Sequence, residues 1–312
     1  MLTMTTMGNL HTLADQLGRA FPDLTSSGPL SLLGEGFSSL VVETPTGIVF
    51  RVAKNHLAQR GHWREWRALP IVGRSLAGVR LPRPTHYLHS SEDFPHGLIG
   101  YHKIVGRPLA PWDITPQSRE DIARQVGAFL VALHNVPPGR LHGLDLPHYP
   151  PLPENLDALW RNTAGYLAAN LAPDDFARVE LWWRAVRRDE QFRAYRPTLV
   201  HGDLWYDNIL FDSERRRIVG VIDFENLSIG DPAIDLATQA YLGGDFASAV
   251  ARHYYAQLPP PANLGSRART LLGLREMAGL EYGLLVREVD TDTLGKIKAA
   301  TISAEAQTPL FA

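Results

Sequence analysis

The stretch His201-Gly202-Asp203-Leu204-Trp205-Tyr206-Asp207-Asn208 decides how this chain folds. It places an aspartate two residues after a histidine, and an asparagine five residues after that aspartate. A further aspartate follows at the distance of one short hairpin, in Val221-Ile222-Asp223-Phe224. One carboxylate can accept the proton of a hydroxyl group, while an amide oxygen and a second carboxylate are ligands that Mg²⁺ prefers. The stretch therefore predicts a site for phosphoryl transfer.

The spacing H-x-D-x-x-x-x-N resembles the catalytic loop of protein kinases. It predicts that Asp203 is the catalytic base and that Asn208 and Asp223 hold Mg²⁺ together with waters and nucleotide phosphates. Taken singly, each could be a turn or cap residue, but their joint spacing favours the chemical role. His201 is predicted to be structural and to fix the loop through a ring nitrogen.

The composition is that of an ordinary globular protein. Of 312 residues, 45% are hydrophobic and 21% are charged, and the formal net charge is -2. This charge gives no sign of a nucleic-acid binder, and no apolar run reaches the roughly 18 residues of a membrane span. Because cysteine is absent, disulfides, thiolate metal sites and a cysteine nucleophile are excluded. With no secretory signal at the N-terminus, we expect a cytoplasmic monomer or homodimer that binds neither nucleic acid nor membranes.

The N-terminal third predicts strands and two helices. An amphipathic helix is expected near residues 8–20 and a second helix near 56–76. A glycine turn runs into an apolar strand over 33–42, and further strands are predicted at 47–52 and 97–105.

The glycine turn carries candidate phosphate-binding groups. In Gly34-Glu35-Gly36, backbone N–H groups ahead of the strand could fold over the phosphates of a nucleotide, and Ser38 could add a hydroxyl donor. A plain hairpin turn has the same pattern, and the downstream acidic residues are what favours the phosphate role.

A cation for the α- and β-phosphates is expected on the second strand. Arg51 lies inside that strand and Lys54 at its exit, and we predict Arg51 as the phosphate ligand. A helical acid should orient it, and Glu65 is the best placed. The alternative is a surface ion pair, which contributes little stability.

The remaining two thirds predict a mainly helical region that begins near residues 101–107. Apolar residues at helical spacing predict the helices, two short apolar runs around a polar turn predict a hairpin, and Asp231-Pro232 predicts a helix with aspartate as N-cap. The predicted elements are helices at 118–135, 155–170 and 174–190, strands at 209–211 and 218–222, and a helix from 231.

Four segments occur in the order and spacing of one known family, namely residues 200–203, 207–212, 221–224 and 229–237. On these segments, and on Leu133-His134, the chain resembles the aminoglycoside phosphotransferase family, whose wider relatives include choline, homoserine, fructosamine and macrolide kinases. The resemblance implies an α+β, protein-kinase-like bilobal fold. Its parts would be an N-terminal nucleotide-binding lobe with a small antiparallel sheet over 1–101, a hinge over 102–107, and a helical lobe with the catalytic loop and substrate site over 108–312.

The resemblance implies the same roles for Asp203, Asn208 and Asp223, with ATP or GTP and Mg²⁺ as cofactors. Asp235 resembles a buried aspartate that braces the catalytic loop.

Two further positions concern the nucleotide. The family hinge binds adenine through backbone groups, which implies His102 and Ile104 here. The chain departs from the family at Arg51, where lysine is commonest. Arginine also binds phosphates, so we expect nucleotide binding with altered geometry.

The acceptor is predicted from fewer residues. A polycationic aminoglycoside would require carboxylates, although a solvated helix face has the same pattern; the candidates are Glu276, Glu281, Glu288, Asp174 and Asp175. Asp207 could cap the loop or contact the substrate. Trp205 lies in a loop similar to that of fructosamine kinases, and it could stack a sugar or hold an ammonium group. Arginines of the C-terminal segment would oppose a polycation; they are Arg269, Arg275 and Arg287.

We therefore expect a kinase of an aminoglycoside-like compound or aminated sugar, with antibiotic resistance as a candidate role. A kinase of fructosamine, homoserine, choline or a macrolide is the alternative. A pseudokinase that only binds nucleotide is the alternative of another class.

Overall fold

The structure is a computed structural model that describes residues 4–24, 28–36, 38–76, 78–149, 153–190, 192, 194–257 and 263–311. Phe37, next to the predicted glycine turn, lies outside these residues. The chain divides into an N-terminal unit, Met1–Val105, and a C-terminal unit, Gly106–Ala312. The functional boundaries predicted at 101/102 and 107/108 remain predictions.

The N-terminal unit is built on an antiparallel sheet of five strands in the order β1-β2-β3-β5-β4. Its strands are β1 Ser31–Glu35, β2 Ser39–Glu43, β3 Ile48–Ala53, β4 Pro84–Leu88 and β5 Leu98–His102. Its helices are α1 Met4–Ala20 and α2 His56–Val72. The central strand β3 is buried along nearly its whole length, as expected for a strand covered on both faces.

Helix α1 covers part of this sheet. Leu10, Leu13 and Leu17 recur three and four residues apart and so share one helix face. They pack with Phe50 and Leu98 in one buried cluster. This apolar face explains why the amphipathic pattern of the N-terminus forms a helix here.

The predicted glycine turn falls where β1 ends and the apolar strand β2 begins, and its phosphate contacts stay a prediction. Gly34 belongs to β1 and pairs with Val41 across an irregular register. The Gly36 N–H donates to the Ser39 carbonyl at 3.0 Å. Neither glycine has a positive φ, and a Cβ on Gly34 would meet nothing within 4 Å. Gly34 therefore lies beside a bulge within β1, whereas Gly36 follows the end of this strand.

The C-terminal unit is mainly helical. Its helices are α3 Arg119–His134, α4 Pro153–Asn170, α5 Pro173–Arg188, α6 Ala233–Ala237, α7 Gly244–Tyr255, α8 Leu264–Val286 and α9 Thr293–Thr301. Its short strands are β6 Arg107–Pro108, β7 His148–Tyr149, β8 Thr198–Val200, β9 Ile209–Asp212, β10 Arg217–Val221 and β11 Ser228–Gly230. They form two sheets, ordered β10-β9-β6 and β7-β11-β8. Over the described ranges, every helix is too short or too polar to cross a membrane.

Helix α6 begins one residue later than the sequence predicts. Asp231 still accepts a hydrogen bond from the Ala233 N–H at 2.9 Å, as a capping side chain does. Its carboxylate is also paired with the buried Arg267 at 2.9 Å. The aspartate therefore anchors the start of α6 to α8 as well as capping it.

A buried histidine makes the stability of the N-terminal unit depend on pH. His62 of α2 is 1% exposed, and its Nε2 lies 3.2 Å from Ser39 Oγ. Burial, assisted by the charge of Arg51, lowers the pKa of His62 to about 2. The unfolded histidine binds a proton below its ordinary pKa of about 6.5, whereas the folded one does not. This contribution to stability is therefore present above about pH 6.5 and is lost as the pH falls.

We expect wild-type protein to lose about 2 kcal/mol more than a His62→Gln variant between about pH 6.5 and pH 5, since one proton contributes about 1.4 kcal/mol per pH unit. Urea unfolding followed by circular dichroism at several pH values measures the difference. His142→Gln replaces an exposed histidine and should leave the pH dependence unchanged. If the free energy of unfolding of His62→Gln depended on pH as steeply as that of wild type, the burial of an uncharged imidazole would be contradicted.

Candidate active site

A buried aspartate fixes the loop of residues 201–208, which connects β8 to β9. Asp235 of α6 is fully buried. Its Oδ2 accepts hydrogen bonds from the His201 backbone N–H at 2.8 Å and from His134 Nε2 at 3.0 Å. Its Oδ1 accepts from the Gly202 N–H at 2.9 Å. Each carboxylate oxygen therefore holds a backbone N–H of the loop, and Oδ2 also binds His134 of α3. This is the bracing geometry that the family resemblance implies.

His201 ties the loop to the end of β10. Its Nε2–H donates to the Ile222 carbonyl at 3.0 Å, and its Nδ1 accepts from the Asp203 backbone N–H at 3.3 Å. These contacts assign the proton to Nε2. The ring packs against Phe224 at a centroid distance of 4.5 Å. Since both ring nitrogens bond to backbone groups, one within the loop and one at the end of β10, the geometry favours a structural role for His201.

Gly202 permits the close turn that carries the aspartate. Its φ is +81°, and a Cβ would meet the Asn226 carbonyl oxygen at 2.5 Å. The left-handed backbone alone disfavours other residues, and the carbonyl leaves no room for a side chain.

The carboxylate of Asp203 is held through one oxygen. Arg275 of α8 donates to Oδ1 from Nη2 at 2.5 Å and from Nε at 3.1 Å. Oδ2 accepts no hydrogen bond from any residue that the structure describes. The side chain is 23% exposed, so Oδ2 is available to a ligand.

Two opposing effects set the proton affinity of Asp203. Burial raises the pKa of its carboxyl above the ordinary value, and the Arg275 guanidinium counteracts this rise. For Arg275, burial lowers the pKa, but Asp203, Tyr241 and Glu276 together outweigh this effect and raise the pKa. The pair is a carboxylate and a guanidinium, in which the aspartate is a better proton acceptor than an exposed one.

Asn208 and Asp223 come together where the β9–β10 hairpin begins and ends. Asn208 Nδ2 donates to the Asp203 carbonyl at 2.9 Å, which orients the amide. Its Oδ1 accepts no hydrogen bond within the described residues. The Asn208 carbonyl accepts from the Ile222 N–H at 3.0 Å, so the neighbouring Asp223 lies close to Asn208.

Asp223 has a strained backbone. Its φ of 65° and ψ of 63° are left-handed, a conformation that costs a non-glycine residue of the order of 1–2 kcal/mol. Such strain concentrates at functional sites, where the surrounding structure enforces it. The conformation supports a functional role for Asp223.

The surroundings of Asp203 include residues that the sequence did not place there. Arg275 Nη1 donates to the Tyr241 hydroxyl at 3.1 Å and to Glu276 Oε1 at 3.0 Å, and the Tyr241 hydroxyl donates to the same Glu276 oxygen. The guanidinium lies 5.7 Å from the ring centroid of Trp205 and 5.3 Å from that of Tyr241. An arginine expected only to oppose a polycation thus contacts the candidate base itself.

The predicted acceptor residues occupy two places. Trp205 and Asp207 lie in the 201–208 loop, and partial burial raises the pKa of Asp207. Glu281 lies on α8, where it accepts a hydrogen bond from Asn162 of α4 at 2.6 Å. The role of all three in acceptor binding stays a prediction.

The N-terminal unit pairs the predicted phosphate ligand with the predicted helical acid. Arg51 Nη1 lies 2.7 Å from Glu65 Oε1, and both side chains are buried. Lys54 instead donates to the Gly36 carbonyl at 3.0 Å and pairs with Glu35 at 3.2 Å. Lys54 therefore holds the glycine segment, which favours Arg51 over Lys54 as the candidate phosphate ligand.

The predicted adenine-binding segment follows β5. His102 ends this strand and is exposed, whereas the Ile104 side chain is buried. The backbone N–H and C=O of Ile104 have no partner among the residues described. Ser38, the remaining predicted phosphate contact, accepts through its carbonyl from the Lys54 N–H at 2.8 Å. Nucleotide contacts of these residues stay predictions.

The family of the chain follows from comparison with known proteins. A family model described as the phosphotransferase enzyme family, APH, matches residues 30–267. The match covers well over half of the chain, so the chain belongs to this family and is a small-molecule kinase. The family predicted from the four segments is confirmed.

Among curated proteins, a viomycin phosphotransferase of Streptomyces vinaceus is 28% identical over 242 residues, which are 73% of this chain and 78% of that protein. Acyl-CoA dehydrogenase family member 10 of Mus musculus is 44% identical over 45 residues, 14% of this chain. That match spans only 4% of the mouse protein, so it concerns one short segment.

Solved structures share the fold. The GDP and kanamycin complex of APH(2″)-IIia superposes with a TM-score of 0.80 at 21% identity, over 93% of this chain and 97% of that chain. A macrolide 2′-phosphotransferase type I gives a TM-score of 0.69 at 20% identity, over 97% and 99%. The predicted α+β, kinase-like fold is confirmed.

Proposed function

We propose that this phosphotransferase moves the γ-phosphoryl group of ATP or GTP to a hydroxyl group of a small molecule. The geometry of Asp203 carries the proposal, because one carboxylate oxygen is held by Arg275 and the other is unused. The backbone on which it stands is fixed by Asp235. A base that is held in this way is already positioned to accept a proton when a substrate binds.

Asp203 Oδ2 would accept the proton of the acceptor hydroxyl. As the new bond between that oxygen and the γ-phosphorus forms, the bond from the phosphorus to the bridging oxygen breaks, and the nucleoside diphosphate leaves with its electron pair. Burial raises the pKa of Asp203, which favours proton acceptance. The proton on Asp203 then returns to solvent.

Asn208 and Asp223 are the proposed ligands of Mg²⁺. Asn208 offers a hard oxygen whose direction is fixed by its own Nδ2 hydrogen bond, and Asp223 offers a carboxylate on the residue after Ile222, whose N–H bonds to the Asn208 carbonyl. Across the described residues, no group of three or more His, Asp or Glu could hold a metal ion alone, so phosphate oxygens and waters would complete the coordination. When bound, Mg²⁺ neutralises charge on the phosphates.

The N-terminal unit is proposed to bind the nucleotide. Arg51, oriented by Glu65, would bind the phosphates, and the backbone of Ile104 would bind the base. The GDP in a structure of the same fold supports a nucleotide as donor.

The acceptor is proposed to be an aminoglycoside-like compound or an aminated sugar. The name of the Streptomyces vinaceus relative supports an antibiotic acceptor, and structures of the same fold include a kanamycin complex and a macrolide phosphotransferase. Kinases of macrolides, fructosamine, homoserine or choline are the alternatives.

A panel of acceptors tests the proposal. We expect ATP or GTP with Mg²⁺ to add a single phosphate to one class among aminoglycosides, viomycin, macrolides, aminated sugars, choline and homoserine, detected by mass spectrometry and by nucleoside diphosphate release. Asp223→Asn should weaken binding of the Mg–nucleotide complex by about tenfold or more, because it removes the carboxylate ligand.

Calorimetry of nucleotide binding without acceptor separates the outcomes. Asp212→Asn is the matched control, because Asp212 bonds only to the hairpin turn, and it should bind like wild type. Nucleotide binding without transfer to any compound would identify a pseudokinase and contradict the transfer. Wild-type affinity in Asp223→Asn would contradict its role as a metal ligand.

A further inference from the structure

The guanidinium of Arg275 uses all three of its nitrogens. Nε and Nη2 donate to Asp203 Oδ1 at 3.1 Å and 2.5 Å, and Nη1 donates to Glu276 and Tyr241 at 3.0 Å and 3.1 Å. One cation is therefore held between two carboxylates. The planar fork matches these acceptors in a way that the point charge of a lysine would not.

Aromatic rings enclose the same group. Its central carbon lies 5.7 Å from the Trp205 centroid and 5.3 Å from the Tyr241 centroid, and these two rings meet edge to face at 6.4 Å. Carboxylates combined with aromatic faces are the surroundings in which proteins bind ligand ammonium groups. Here the chain fills such a site with its own arginine.

We propose that Arg275 is a positioning and specificity residue for the transfer reaction. It holds Asp203 so that Oδ2 alone receives the proton of the accepting hydroxyl. It also fills the cation site beside that hydroxyl. The accepting hydroxyl then belongs to an uncharged part of the acceptor. This inference rests on the proposed function and narrows its acceptor.

The restriction follows from charge. An ammonium group next to the accepting hydroxyl would find the place beside Asp203 and Glu276 already filled by the guanidinium, and a like charge about 4 Å away weakens binding about fivefold in water. An acceptor with several amines can still bind if they lie away from the hydroxyl that receives phosphate. The position of the amines, rather than their number, therefore selects the acceptor.

The cation site can be tested without turnover. We expect Arg275→Ala to bind one ethylguanidinium ion, measured by calorimetry, because the ion replaces the missing side-chain end. Wild type should not bind it, and the double variant with Asp203→Asn should bind at least about tenfold more weakly because one of the two carboxylates is gone. Arg269→Ala is the matched control on the same helix, since Arg269 donates to the Thr308 carbonyl and should leave no such site. A folded Arg275→Ala protein that does not bind ethylguanidinium would overturn the assignment.

Turnover tests the positioning role with any acceptor found in the panel. We expect Arg275→Ala to lower kcat by about 100-fold without changing the KM for nucleotide, as for a misplaced base. Added ethylguanidinium should restore much of the kcat of Arg275→Ala. The Arg275→Lys variant should have a kcat below that of wild type, because an ammonium group lacks the planar geometry of the guanidinium. Turnover in Arg275→Ala at or above the wild-type rate would overturn the proposal. It would show that the ion pair between Arg275 and Asp203 hinders catalysis and must break when the substrate binds.

Selectivity is tested with a pair of acceptors that differ in one charge. A compound with an amine next to its accepting hydroxyl is compared with its N-acetyl derivative. Wild type should prefer the uncharged form by about fivefold or more, and Arg275→Gln should lose this preference. An unchanged preference in that variant would contradict the specificity role.

The failure of this inference can be told from failure of the proposed function. A panel in which no compound supports nucleoside diphosphate release overturns the function and the specificity role together, while the calorimetry separately decides whether Arg275 fills a cation site. Melting curves identify any variant that does not fold. If Arg275→Ala does not fold, Arg275→Lys replaces it in the turnover experiment, where a kcat equal to that of wild type would overturn the positioning role.

Discussion

Asp203→Asn should lower acceptor-dependent release of nucleoside diphosphate by about 10²- to 10⁴-fold, the usual contribution of a general base. Asparagine has nearly the shape of aspartate, but its amide does not take up the hydroxyl proton. Nucleotide binding should persist, because Asp203 is not one of the proposed phosphate or metal ligands. Steady-state kinetics and calorimetry of nucleotide binding measure the two effects separately.

The substitution also leaves Arg275 with one carboxylate fewer. A fall in stability of roughly 1–3 kcal/mol is therefore expected, and kinetics should be measured well below the melting temperature. Asp212→Asn makes the same chemical change in the hairpin turn and should keep wild-type kinetics. Retention of most of the turnover by Asp203→Asn would rule out Asp203 as the base.

Local spacing was enough to predict the candidate catalytic groups. Asp203 and Asn208 share one short loop, whose geometry is set by neighbouring backbone contacts, and Asp223 is separated from them by a single hairpin. Arg51 and Glu65 could also be matched, because a strand and the helix that follows it pack together. In each case, few residues separate the partners, so few arrangements are possible.

The contact between Arg275 and Asp203 was not predictable in the same way. Their positions are 72 residues apart, and the contact depends on how α8 packs against the 201–208 loop. A signal was nevertheless present. Helix α8 buries residues around much of its circumference, as a helix in the interior does, so a charged residue within it requires a partner. This argument identifies Arg275 and Glu276 as residues to examine but does not name their partners.

The bulge at Gly34 was missed for a different reason. Two closely spaced glycines before an apolar strand predict a turn, but they do not show whether the first glycine still belongs to the preceding strand. The choice depends on the pairing of β1 with β2, which involves residues on both sides of the segment. Local glycine content therefore could not decide it.

Asp235→Asn should destabilise the protein and also slow it. The fully buried carboxylate accepts hydrogen bonds from His201, Gly202 and His134. Asparagine retains only one of the two oxygens, so its NH₂ group would face at least one of these donors. Disrupting a buried network of this kind costs about 3–5 kcal/mol, which for a domain of this size lowers the melting temperature by roughly 10 °C. Thermal unfolding followed by circular dichroism measures the loss.

The matched control is Asp231→Asn. Asp231 is also buried beside the start of α6, but its carboxylate binds Arg267 and the Ala233 N–H rather than the loop. We expect a similar loss of stability and a wild-type kcat at a temperature where the proteins are folded. Asp235→Asn should lower kcat by about tenfold or more at that temperature, because the loop no longer holds Asp203 in place. Equal kcat values for Asp235→Asn and Asp231→Asn would limit Asp235 to a role in stability. A lower kcat in Asp235→Asn alone is expected only if Asp235 holds the 201–208 loop in place.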